Sequence, residues 1–116
     1  MNTYLIIVVL IFAVYYLWNQ TNETCKIYWF HKNECKYCKE MENDWEMAEN
    51  KLLSTSIKMI RIDANEPQNK KMRANFKIET VPHIVKVFPD GTRSVYKGKL
   101  KCNDIIEWAY ETTYDC

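Results

Sequence analysis

Two cysteines three positions apart, Cys35 and Cys38, stand between an apolar run (Ile27, Tyr28, Trp29, Phe30) and a helix-like pattern opening at Lys36. With Cys35 at the start of that helix, its sulfur faces unpaired backbone N–H groups and the positive end of the helix dipole. Both favour thiolate. Cys38, one turn later, shares that face and can close a short disulfide with Cys35. Lys32, Lys36 and Lys39 add positive charge, partly offset by Glu34 and Glu40. The stretch builds a reactive dithiol.

Two blander readings compete. The spacing suits half of a zinc site, but only His31 and His83 are left as imidazole ligands, and no second close pair of ligands appears. No metal is therefore expected. A purely structural disulfide without exchange chemistry is the other alternative. The five cysteines (25, 35, 38, 102 and 116) are odd in number, so at least one is free or pairs outside the chain. If residues 104 to 113 are helical, Cys102 and Cys116 are too far apart to bridge, and Cys25 is out of reach of the dithiol. Cys35–Cys38 is thus expected as the only intramolecular disulfide, with Cys102 partly buried and Cys116 a free terminal thiol.

The chain's 116 residues support one domain, and a formal net charge of +1 leaves no electrostatic footprint for nucleic acid. Tyr4 to Trp18 is unbroken apolar or aromatic sequence. As a helix it spans about 22 Å, with polar flanks that extend it toward the interface and aromatics at both ends. No basic start and no small-residue cleavage site mark it as a signal peptide. The expectation is one transmembrane helix over residues 1–20, contacting the membrane through residues 4–18, with a linker over 21–24 and a domain over 25–116. Lys26, Lys32 and Lys36 follow the run and none precedes it, so the positive-inside rule predicts a cytosolic domain in a single-pass membrane protein. Two glycosylation sequons, at Asn19 and Asn22, point to the lumen but lie hard against the membrane.

Within the domain, Lys26 to His31 reads as a strand. Cys38, Met41, Trp45, Ala48 and Leu52 follow helical spacing over Lys36 to Leu53, with Glu42, Glu46 and Glu49 facing away. Ile57 to Asp63 alternates as a strand, and Pro67 opens a second helix running to about Asn75, with Met72 and Phe76 inward. A third strand ends at Phe88 and tolerates Pro82 only at its very start. Pro89-Asp90-Gly91-Thr92 turns the chain into a fourth strand, because Gly accepts positive φ. Asn103 or Asp104 then caps a last helix carrying Ile105, Ile106, Trp108 and Ala109. The order is βαβαββα, with the first strands parallel and a hairpin at one edge.

Cys-x-x-Cys at a strand-to-helix junction, Val81-Pro82 opening the third strand, and Phe88-Pro89-Asp90-Gly91 with the later Gly98 together resemble the thioredoxin superfamily over about residues 25–116. The lysine- and asparagine-rich composition is also similar to that of thioredoxin-like proteins of large cytoplasmic DNA viruses. The resemblance implies an α/β minimal thioredoxin-like fold: a four-stranded mixed sheet flanked by helices. It implies Cys35 as nucleophile, Cys38 as resolving thiol, a cis Val81–Pro82 bond beside them, and substrate pairing through Val81 and Pro82. Lys36 would tune the thiolate. The implied activity is thiol–disulfide exchange with protein thiols or disulfides, with no cofactor.

The chain departs from that pattern in three places. Lys36-Tyr37 separates the cysteines, and Glu34 stands where thioredoxins place a tryptophan. The buried acid expected six residues before Cys35 is Trp29, and its lysine partner is Met59. The usual proton acceptor for the resolving thiol is missing. His31 and His83 are candidates to replace it, against surface or packing roles for each. The missing acid also keeps open a second class of function, a tethered thioredoxin-fold module that binds peptide without turnover.

Overall fold

The structure of the protein is a computed structural model that describes residues 2–20 and 24–111, without the side chains of residues 18–20. A first helix, α1 (Thr3–Gln20), precedes the domain. The domain then runs β1 (Lys26–His31), α2 (Lys36–Lys51), β2 (Lys58–Asp63), a 3₁₀ turn (Pro67–Asn69), α3 (Lys70–Asn75), β3 (His83–Val87), β4 (Arg93–Val95) and α4 (Cys102–Glu111). The sheet order is β2-β1-β3-β4, with β1 and β2 parallel and both remaining pairs antiparallel. This is the expected α/β thioredoxin-like fold with a mixed four-stranded sheet.

The expected membrane span is not there. Among the described residues no helix is long and apolar enough to cross a membrane, which overturns the single-pass and cytosolic placement together. The physical shortfall is length. The described apolar side chains of α1 run from Tyr4 to Leu17, about 21 Å of helix against a hydrocarbon core of about 30 Å. These side chains are mostly exposed, and none belongs to the domain's core clusters. The expected linker falls mostly at residues 21–23, outside the described residues.

The period-two alternation of β1 divides the core. Ile27 and Trp29 face α2 and α4, where they pack with Cys38, Met41, Trp45, Ala48, Ile84, Ile105 and Ala109. Phe30 faces the other way, with Ile78, Val85 and the partly buried Tyr28, Met72 and Phe76. The inward set of α2 is the one its spacing predicted. At the hairpin, Asp90 Oδ1 accepts from the Thr92 N–H at 2.9 Å, and Gly91 takes φ +91°. At Gly98 a Cβ would lie 2.6 Å from the Tyr96 hydroxyl, so a larger residue there displaces the tip of that ring.

The last helix starts earlier than expected. It begins at Cys102, whose N–H donates to Asp44 Oδ1 of α2 at 3.0 Å, so the partner at this end is non-local rather than Asn103 or Asp104. Its expected end near residue 113 lies outside the described residues.

Candidate functional site

β1 delivers the chain to a short loop, Lys32 to Glu34, and Cys35 takes the N-cap of α2 in extended conformation. Its Sγ accepts from the Cys38 N–H at 3.1 Å, one of the helix-start donors left without an intrahelical acceptor. Cys35 and Cys38 form a disulfide, with Cα atoms 5.1 Å apart. The two sulfurs differ in access: Cys35 is partly exposed and Cys38 is buried. On reduction, the donor and dipole that meet Cys35 Sγ favour its thiolate. Lys36 is the first residue of α2 and is exposed, so its charge reaches the sulfur through screening solvent.

The Val81–Pro82 bond is cis. Val81 packs on the cluster that holds Cys38, as Cys35 does. The two histidines separate. Pairing of Phe30 with His83 across β1 and β3 places His83 on the α3 face, where its ring meets Phe30 edge-on at 6.3 Å. Burial lowers its pKa. His31 instead shares the face of Trp29, with ring centroids 4.9 Å apart.

Trp29 fills the place of the absent acid. Its ring stacks at a tilt on Trp45, 5.2 Å away, and its indole N–H is buried with no hydrogen-bond partner among the described residues. A cleft of about 140 Å³ opens beside it, lined by Cys38, Trp29, His31, Lys39, Glu42 and Arg61, with Lys32 and Asn33 at its edge. Arg61 lies over the Trp29 ring at 5.5 Å and reaches Glu42 and Glu46, each at 3.3 Å. From the sequence, Glu42 reads as part of the outward face of α2 and Arg61 as one residue of a strand, neither with a part in the site. The β1–β2 register, which sets Trp29 opposite Arg61, brings Arg61 to the cleft, and Glu42 arrives by helical spacing from Cys38.

The remaining cysteines correct one expectation. Cys102 is buried and free, as a small apolar residue would be. Cys25, fully buried just before β1, is disulfide-bonded, so Cys35–Cys38 is not the only disulfide. Cys116 lies outside the described residues.

Comparison with known proteins places this geometry. The chain is 30% identical over 83 residues to a protein disulfide-isomerase of Ricinus communis, covering 68% of this chain and 16% of that protein. A Medicago sativa protein disulfide-isomerase is also 30% identical, over 84 residues and again 16% of its length. The chain therefore spans about one sixth of these curated relatives. The first two thioredoxin domains of Naumovozyma dairenensis Eps1p superpose with a TM-score of 0.72 at 22% identity, over 84% of this chain and 38% of that one. The first thioredoxin domain of mouse Protein disulfide-isomerase A4 gives 0.68 at 20% identity, over 77% and 63%. These two likenesses speak for the fold. Residues 17–111 match the family described as thioredoxin-like domain, most of the chain, and the chain belongs to that family.

Proposed function

We propose that the domain, residues 25–116, is a thiol–disulfide oxidoreductase acting on protein thiols or disulfides. The observation that carries this is the asymmetry of the dithiol: an accessible Cys35 at a helix start, bonded to a buried Cys38. Cys35 thiolate attacks a substrate disulfide and gives a mixed disulfide, and Cys38 then displaces the substrate thiol. Read backwards, the same steps donate a disulfide. Stabilising the Cys35 thiolate makes the disulfide form more oxidising. Val81 and Pro82 would present backbone to the substrate, and Lys36 would contribute charge. The likeness to protein disulfide-isomerases supports the reaction class.

A non-catalytic binding module has one observation in its favour, Trp29 in place of the buried acid. Replacing Cys38 with Ala separates the two readings. An exchange enzyme accumulates mixed disulfides through Cys35, visible as reducible adducts on a non-reducing gel and absent from a Cys35→Ser, Cys38→Ala control. No adducts above that control would leave the binding module.

A further inference from the structure

Resolution of a mixed disulfide requires Cys38 to lose a proton inside a largely closed site, where it is 3% exposed. A buried thiol holds its proton, because burial disfavours the anion. On this face of the sheet the strand position six residues before Cys35 offers only an indole. The remaining polar access is the cleft between β1, β2 and α2.

Two groups on that cleft can accept a proton. Glu42 follows Cys38 by four residues on α2, and its side chain leans back over that turn. Its carboxylate is held by Arg61 at 3.3 Å and is more than half exposed, which suits a stable anion better than a proton carrier. His31 lies on the same cleft at the end of β1, with its ring fixed against Trp29. Imidazole exchanges protons near neutral pH, where thiol resolution has to run.

We infer that His31 takes the place of the absent buried acid and accepts the Cys38 proton through this cleft. The inference rests on the exchange reading above. In the mixed disulfide, Cys38 Sγ–H gives its proton to the His31 ring, directly or across a solvent molecule in the cleft. The Cys38 thiolate then attacks Cys35 Sγ. The Cys35–Cys38 bond forms, the Cys35–substrate bond breaks, and the substrate leaves as a thiolate carrying the electron pair. The dithiol is oxidised by two electrons and the substrate disulfide reduced by two. In the oxidative direction the imidazolium returns its proton to Cys38. Charged groups facing His31 are Lys32 from the loop, Lys39 and Glu42 from α2, and Arg61 and Asp63 from β2, with Asp63 its register partner. Glu46 and Glu49, also on α2, pair with Arg61 at 3.3 and 3.9 Å, so the cleft carries no cationic excess.

The test uses the full chain, reduced and in excess over dithiobis(nitrobenzoate), a disulfide whose two halves are released in turn. The first coloured thiolate reports attack by Cys35 and the second reports resolution by Cys38. A Cys35→Ser variant supplies the background from other thiols. His31→Gln should slow the second release about tenfold at neutral pH and leave the first within about twofold. The deficit should close toward about pH 9, where a thiol ionises unaided. Added imidazole should restore the second release in His31→Ala, and Glu42→Gln should leave it unchanged. Superimposable pH profiles for the wild type and His31→Gln would overturn the inference. So would a deficit in Glu42→Gln alone, which assigns the proton to that carboxylate. If the wild type gives no first release, the exchange reading itself fails.

Discussion

On the α3 face of the sheet, Phe30 and Val85 meet Ile78, Met72 and Phe76, with the Phe76 ring 5.5 Å from Phe30 and 5.7 Å from Tyr28. Its polar neighbours are satisfied at the rim: Arg93 lies over Phe76 at 4.0 Å and donates to the Asn75 carbonyl at 3.2 Å. On the α2–α4 face the same strands bury two tryptophans whose indole N–H groups have no partner among the described residues. That face also encloses Lys86, whose Nζ donates to the Ala109 carbonyl at 3.0 Å. One face is an ordinary apolar core. The other buries polar groups along its length, and a partly satisfied interior costs stability that the apolar face does not forgo.

The largest expected effects compare the two faces directly. Phe30→Ala should destabilise the oxidised protein by about 3–5 kcal/mol in urea unfolding, since Phe30 is fully enclosed and its removal leaves a cavity. Trp45→Ala removes a larger side chain but also an unpartnered N–H, so its cost per atom lost should be smaller. If Trp45→Ala proves proportionately the more costly, the contrast between the faces fails.

Lys86 sharpens the comparison through pH. Burial lowers its pKa from 10.5 to about 8. Between about pH 8 and 10.5 the unfolded chain therefore holds a proton that the folded protein has released, so stability should rise with pH across that window. The gain is bounded at about 3 kcal/mol. Urea unfolding at stepped pH measures it, and Lys86→Met should flatten the slope. A wild-type stability that falls through the same window would show that Lys86 stays charged in its site.

These contrasts also mark where the sequence was readable. The β-branched and aromatic run of β1, the alternation of β2, the five inward residues of α2, and the Pro-Asp-Gly turn encode their elements locally, and each formed where its pattern lay. Groups that depend on register did not announce themselves. Arg61 reaches Trp29 only because β2 runs parallel to β1 in one register, and Asp44 meets the start of α4 across 58 residues of chain. Lys86 lies within a short apolar strand with nothing local to mark it, yet its Nζ reaches the Ala109 carbonyl of α4. Of the two histidines, chain position could not choose. Strand parity did, sending His83 to the apolar face and His31 to the cleft. Hydropathy foretold α1 as a helix but overstated its apolar reach.

The smallest expected effect is at Trp29, where two terms oppose. Trp29→Phe deletes the buried indole N–H that has no partner among the described residues, relieving a desolvation penalty of about 1–3 kcal/mol. It also removes ring volume stacked on Trp45 and weakens the contact with Arg61, a loss of similar size. The net change in stability should stay within about 1 kcal/mol by these offsetting magnitudes. Phe30→Tyr is the matching probe on the other face, because it adds a hydroxyl to an apolar core without a prepared acceptor, and it should cost more than Trp29→Phe removes. Paired urea titrations decide the comparison. A loss above about 2 kcal/mol at Trp29 would mean that the indole is satisfied through the cleft, so that its N–H is part of the hydration the His31 route uses rather than a group left dry beside it.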